Sequence, residues 1–144
     1  RLSKKKETAT LYKGIRGIKQ VYSIMISQKA KEYNTFGGGF PCVDLMGETW
    51  WKNLHLRRVD KKLKARQVFD ETVRKQGDEY NKEKLSKIRF LSKEFYQAQE
   101  TVIVGNKVAL AVFTEHPYVF LIEDKVVADG YRKHFELLWK MAKD

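Results

Sequence analysis

The feature that most constrains this chain is a run of three short apolar segments in its last third. Residues 101–105, 107–113 and 118–123 are rich in β-branched and aromatic side chains, which favour strands. Asn106 predicts a tight turn between the first two, and His116-Pro117 interrupts the chain before the third. An amphipathic helix is predicted next, over residues 127–142. This third of the chain carries no recognisable nucleophile, acid pair or metal cluster. Its pattern therefore favours a role in folding, pairing and sensing over the turnover of a substrate.

The first half of the chain alternates between strand and helix patterns. Ile15, Ile18, Tyr22 and Met25 recur at the spacing of a one-sided helix, after glycines that allow a tight turn and close packing. Further strands are predicted at residues 9–12, 32–36, 63–71 and 87–91, and a further helix at residues 48–58. The run of glycines at 37–39 is expected to break the second strand, and the polar residues 75–86 predict only a short helix near 82–84.

This order of elements predicts an α/β fold with a mixed sheet of about six strands and helices on both faces. The chain has 144 residues and shows neither a repeat nor a low-complexity linker, so one domain over residues 1–144 is expected.

The charge balance is strongly basic, with a formal net charge of +11. Such a balance favours polyanions, although scattered lysines also simply keep a surface soluble. The densest basic patches are residues 4–6 and 57–66. The single cysteine, Cys42, cannot form an internal disulfide, which favours a reducing, cytoplasmic setting. No apolar run is long enough for a membrane span. Because the chain begins at Arg1, we expect it to be a piece of a longer protein.

The main candidate for an anion-binding site is a cluster of four residues, His55, Arg57, Arg58 and Lys61. Arginine presents a planar fork that suits phosphate or sulfate oxygens, whereas the alternative is a solvated basic face. His55 lies four residues after Trp51, so it can equally be a hydrogen-bonded core residue. No cysteine–histidine set has the spacing of zinc ligands, and no metal or cofactor is expected.

Four motifs in the chain resemble one family. Residues 12–19 resemble the Y-x-G-x-x-G-I-K opening of the domain that follows the winged helix in TrmB-type, mainly archaeal, transcriptional regulators. Trp51, His55 and Arg58 are similar to that family's W-x-x-x-H-x-x-R helix. Residues 102–109 resemble its hairpin with G-[DN]-K-V-A, and residues 135–139 its closing F-x-x-L-W helix. The resemblance covers nearly the whole chain.

The resemblance implies a phospholipase-D-like fold that serves as a regulatory domain, for dimerisation, for sensing an effector, or for both. Catalytic members of that superfamily carry H-x-K-x-x-x-x-D, with histidine as the nucleophile. In the nearest stretch here, which begins at His55, Arg57 replaces the lysine and Lys62 the aspartate, which implies a degenerate site. The alternative is a phosphodiesterase or nuclease with a variant histidine site.

The resemblance also implies partners and a ligand site. We expect a homodimer, contact with DNA only through a winged-helix domain missing from these residues, and a small anionic or polar effector. His55 and Arg58 are the predicted ligand-binding residues, with Asn106 and Lys107 as neighbours at the same edge of the sheet.

Overall fold

The computed structural model describes residues 7–144, so the basic run at residues 4–6 lies outside the described part. Seven strands are present: β1 Thr8–Lys13, β2 Glu32–Gly37, β3 Lys64–Asp70, β4 Ser86–Leu91, β5 Gln99–Val104, β6 Lys107–Val112 and β7 Tyr118–Glu123. Five α-helices accompany them: α1 Gly14–Ile26, α2 Gly39–Met46, α3 Glu48–Asp60, α4 Arg74–Tyr80 and α5 Lys125–Met141. Short 3-10 turns follow β3 and β4, at Glu71–Val73 and Lys93–Phe95.

All seven strands form one mixed sheet in the order β1-β7-β6-β5-β2-β3-β4. Strands β2, β3 and β4 run parallel to one another, whereas β5, β6, β7 and β1 pair antiparallel. The three strands predicted in the last third are neighbours, which confirms that prediction. Residues 105 and 106 alone join β5 to β6, so the turn fixes the register in which Val104 faces Lys107.

Helices cover both faces of the sheet, as predicted. Helices α1 and α3 bury one face, with Ile18, Tyr22 and Leu54 in its core. Helix α5 packs on the other face through Phe135 and Trp139. Strand β5 alternates between the two cores, because successive side chains of a strand point to opposite faces.

The turn from β1 into α1 depends on two glycines. Gly14 has a φ of +77°, which glycine adopts without steric cost. A Cβ on Gly17 would lie 3.0 Å from two atoms of Tyr12, so glycine also lets the helix pack closely on the strand. Both roles match the expectation from the sequence.

Two helices differ from the predictions. Helix α2, which the sequence pattern does not predict, begins at Gly39; Pro41 lies in its first turn, where a missing N–H costs nothing, so it does not break the helix. Helix α4 lies at residues 74–80 and not near 82–84. Its Gly77 packs so closely on Phe90 that a Cβ would lie 2.4 Å from the ring. This tertiary contact holds a segment whose sequence is polar throughout.

Candidate functional site

His55 lies on α3 with its ring enclosed between two tyrosines. The rings of Tyr33 and Tyr80 lie 5.8 and 5.1 Å from it, centroid to centroid. The imidazole is 6% exposed, so it belongs mainly to the core. The expectation that His55 shares the inward face with Trp51 is confirmed, because both are buried on the same side of the helix.

Arg58 is wholly buried and uses its guanidinium to hold the protein together. Its Nε donates to His55 Nδ1 at 3.0 Å, one helical turn away. Its Nη1 donates to the carbonyl oxygens of Leu63 and Leu85, at 2.6 and 2.9 Å, and Nη2 donates to Ser86 Oγ at 2.5 Å. These contacts join the end of α3 to the start of β4. Every nitrogen of the guanidinium therefore already donates to the protein.

The contact with Arg58 also fixes the state of the His55 ring. Because Nδ1 accepts a hydrogen bond, the proton of the neutral imidazole lies on Nε2. Burial lowers the pKa of His55 to about 3, and the positive charge of Arg58 acts in the same direction. The ring is thus neutral at pH 7, with its one free lone pair engaged by Arg58.

His55 lines a groove of about 450 Å³ between α3 and the α4 region, which we call the His55 groove. Its lining residues are Glu48, Thr49, Lys52, His55, Leu56, Val59, Gln76, Glu79, Tyr80, Lys82 and Glu83. Three carboxylates face two lysines there, so the groove carries no excess of positive charge. Neither the charge of the groove nor the engaged guanidinium of Arg58 favours a strongly anionic ligand at this place.

A small inner cavity of about 20 Å³, roughly the space of one water molecule, continues from the groove into the core. His55, Gln76 and Tyr80 line both spaces. Glu100 and Gln67 line the inner cavity but not the groove. The arrangement places a small, mostly apolar cavity with a few polar side chains behind the groove.

Two separate buried hydrogen bonds adjoin the inner cavity. Glu100 accepts a hydrogen bond from the hydroxyl of Tyr22 at 2.5 Å, and Thr35 donates to Gln67 Oε1 at 2.9 Å. Burial raises the pKa of Glu100 to about 8, although the bond from Tyr22 acts in the opposite direction. Gln67 Nε2 and the hydroxyl of Tyr33 find no hydrogen-bond partner among residues 7–144. Unpartnered buried groups of this kind can serve a polar ligand or a water molecule.

Asn106 and Lys107 do not meet the histidine. Asn106 is exposed in the turn between β5 and β6, and lines a cleft that shares no residue with the His55 groove. Lys107 Nζ pairs with Glu123 at 2.9 Å across the hairpin. The structure therefore brings His55 and Arg58 together and places Asn106 and Lys107 elsewhere.

Sequence reasoning missed the acidic and amide members of the inner cavity. Glu100 shares strand parity with Val102 and Val104, which are inward-facing. A carboxylate at an inward position of an apolar strand is the signal that indicates a buried acid. The contribution of Gln67 depends on how β2 and β3 pair, which the sequence does not show.

Within residues 7–144, no group of three or more histidine, cysteine, aspartate or glutamate side chains is arranged to hold a metal ion. In the same range, no helix has both the length and the apolar character needed to cross a membrane.

The fold is similar to those of several solved structures, although no family model and no curated protein matches the sequence. TrmBL2, an archaeal chromatin protein described as showing a novel mode of DNA binding, matches with a TM-score of 0.69 and 16% identity. That match covers 94% of this chain but 53% of TrmBL2, so the chain spans about half the length of that protein.

Two further solved structures match over nearly their whole length. NucT from Helicobacter pylori has a TM-score of 0.72 at 12% identity, covering 96% of this chain and 99% of NucT. Nuc from Salmonella typhimurium, a phospholipase D family member, has a TM-score of 0.72 at 15% identity, covering 96% and 98%. The chain therefore has a phospholipase-D-like fold.

Proposed function

We propose that this chain is a non-catalytic regulatory domain of a TrmB-like transcriptional regulator, used for dimerisation, for sensing an effector, or for both. The observation that carries the proposal is the hydrogen bond from Arg58 to His55 Nδ1. It leaves the histidine of this degenerate motif without a free lone pair for attack on phosphorus.

The groups around His55 support the same proposal. A covalent phosphohistidine needs an imidazole oriented by an acceptor, such as a carboxylate, so that its other nitrogen is free. Here the orienting group is a donor, the guanidinium of Arg58, which leaves a proton on Nε2. Arg57 and Lys62, which stand in the places of the motif's lysine and aspartate, are exposed. Neither offers a carboxylate to the ring.

An effector at the His55 groove would meet a surface whose three carboxylates and two lysines leave little net charge. We infer that His55 is the ligand-contacting residue, through its Nε2–H, and that Arg58 is a positioning residue behind it. The unpartnered Nε2 of Gln67 lines the inner cavity behind the groove, where a water molecule or one acceptor atom of a polar effector fits. The balance of carboxylates and lysines in the groove favours a neutral ligand over an anion.

The partners follow from the resemblance and from TrmBL2, which is described as an archaeal chromatin protein that binds DNA. We propose that the chain forms a single domain that pairs as a homodimer in the cytoplasm. Specific DNA contact would come from a winged-helix domain outside these 144 residues.

A second candidate function, phosphodiester hydrolysis, is favoured by one observation. NucT and Nuc match this fold over nearly their full lengths, whereas TrmBL2 matches over about half of its own. The two functions differ in what they require of His55: a nucleophile needs a free lone pair, and a regulatory site does not.

Nitrogen-15 NMR of the histidine rings tests the hydrogen bond from Arg58 to His55 Nδ1. Substituting His116→Gln and His134→Gln leaves His55 as the single histidine, so its signals are assigned without ambiguity. We expect the Nε2–H tautomer, with no titration between neutral pH and about pH 5, because the pKa of His55 is about 3. An Nδ1–H tautomer, or titration near neutral pH, would contradict the proposal.

A further inference from the structure

A second cleft lies where β2 and β3 begin, far along the sheet from the Glu100 end of β5. Its volume is about 640 Å³, which is in the range of small-ligand sites. The segment before β2, the start of β3, the turn at Asn106 and the first turns of α5 form its walls. We call it the Asn106 cleft.

The cleft has an excess of positive charge. Five basic side chains line it, against the two carboxylates Glu32 and Asp129. Both carboxylates are already neutralised: Arg66 binds Glu32 at 2.8 Å, and Lys125 and Arg132 bind Asp129 at 2.7 and 3.0 Å.

Three exposed lysines therefore remain available in the cleft, and they account for its net charge. Lys29, Lys31 and Lys64 form no ion pair with any residue from Glu7 to Asp144. Lys29 and Lys31 precede β2, and Lys64 opens the parallel strand β3, paired in register with Glu32. The parallel pairing of β2 and β3 thus brings together cations that are more than 30 positions apart in sequence.

Two further features of the cleft suit an anion. Asn34 lines it although the residue is only 2% exposed, so a polar group lies at its base. Lys125 and Asp129, in the first two turns of the 17-residue helix α5, also line it. The start of α5, where the helix dipole is positive, therefore lies beside the cleft, and the carboxylate of Asp124 caps it by accepting from the amide of Val127.

From this arrangement we propose that the Asn106 cleft binds phosphate groups, through Lys29, Lys31 and Lys64, with Asn34 and Asn106 as neutral hydrogen-bonding partners. Phosphate groups reach such a site from two sources, the backbone of a nucleic acid duplex or a free polyphosphate. Lysine suits both, because it acts as a point charge with three donors and reads no base. The proposal does not rest on the regulatory role proposed above, since it concerns other residues.

The test compares two charge-matched triple variants of the full chain. Lys29→Gln/Lys31→Gln/Lys64→Gln removes the three lysines of the cleft. The control, Lys75→Gln/Lys84→Gln/Lys93→Gln, removes three exposed lysines that line neither the Asn106 cleft nor the His55 groove. All six side chains are exposed, so circular dichroism is expected to show the same fold in both variants.

Two probes separate the sources of phosphate. Binding of a fluorescein-labelled DNA duplex is followed by anisotropy over a range of salt concentrations. Tripolyphosphate is followed by the gain in thermal midpoint, since a ligand that binds only the native state raises it. If the duplex is the source, the cleft variant weakens binding about 100-fold at physiological salt and lowers the slope of log affinity against log salt by about three.

If free polyphosphate is the source, the thermal gain disappears in the cleft variant and persists in the control. A third variant with arginine at the three cleft positions keeps the charge and is expected to retain binding of whichever probe binds the parent chain. Equal losses in the cleft and control variants would overturn the proposal, because they would show only the effect of net charge. Binding of neither probe to the parent chain would overturn it as well.

Discussion

Arg58 is expected to be the most costly single basic side chain to remove from this fold. The substitution Arg58→Met keeps most of the aliphatic stem and deletes the guanidinium, which makes four hydrogen bonds. It leaves the carbonyl of Leu63, the hydroxyl of Ser86 and the Nδ1 of His55 without this donor, whereas the carbonyl of Leu85 keeps its bond from the amide of Ala65. An unsatisfied buried acceptor costs about 1–3 kcal/mol, but water can reach some of these groups once the side chain shrinks.

The expected loss of unfolding free energy is about 4 kcal/mol, because three buried acceptors lose a donor at about 1–3 kcal/mol each and water solvates part of them. For a chain of this length that corresponds to a fall in thermal midpoint on the order of 12 °C. Urea unfolding followed by tryptophan fluorescence measures the difference at constant temperature.

The neighbouring Arg57 provides the matched control, because it is exposed and its guanidinium donates one long hydrogen bond within residues 7–144, to Ser23 Oγ at 3.5 Å. Arg57→Met is expected to change the unfolding free energy by no more than about 0.5 kcal/mol. If the two substitutions cost the same, Arg58 does not hold α3 to β4, and its guanidinium is free to bind a ligand.

Three further outcomes are expected. The pKa of Glu100 is about 4.5 in the unfolded chain and about 8 in the fold. Folding therefore takes up a proton between these pH values, and the free energy of unfolding falls by on the order of 4 kcal/mol as pH rises through this range. Chemical denaturation at a series of pH values should show this fall in the parent chain and in the exposed control Glu115→Gln, but not in Glu100→Gln; an unchanged slope in Glu100→Gln would refute the assignment. Gly37→Ala should lower the free energy of unfolding by about 3 kcal/mol or more in the same assay, because φ is +89° and the new Cβ would lie 2.3 Å from a backbone oxygen. The control Gly130→Ala places a Cβ with nothing within 4 Å, so it should be neutral or slightly stabilising. Sedimentation at micromolar concentration should show a dimer, and a single 17.0 kDa species would count against self-association of this domain.

The order of elements was predictable because most strands and helices carry their own pattern. Strands β5 to β7 are short apolar segments joined by brief turns, and α1 has a regular apolar spacing, so local sequence decides both. Helix α4 could not be predicted in the same way, because its stability comes from Gly77 packing on Phe90 and not from an apolar stripe. Local pattern fails where a distant side chain decides the structure.

The candidate site was predictable only in part, for the same reason. His55 and Arg58 are three residues apart on a helix, so their contact follows from helical spacing. The remaining partners of Arg58, at residues 63, 85 and 86, depend on how α3 meets β4. Arginine with such partners acts as a structural clamp, and the residue type alone does not distinguish that role from anion binding. Likewise, the lysines of the Asn106 cleft meet only through the pairing of β2 with β3.

The most direct test of the regulatory role is phosphodiester turnover at His55. Release of nitrophenol from bis-nitrophenyl phosphate is measured for the parent chain and for His55→Ala, with His134→Ala as the exposed control. We expect no release above the buffer rate from any of the three, because Arg58 occupies the lone pair of His55 that would attack phosphorus. Turnover by the parent chain that is lost in His55→Ala and kept in His134→Ala would establish a phosphodiesterase and contradict the account.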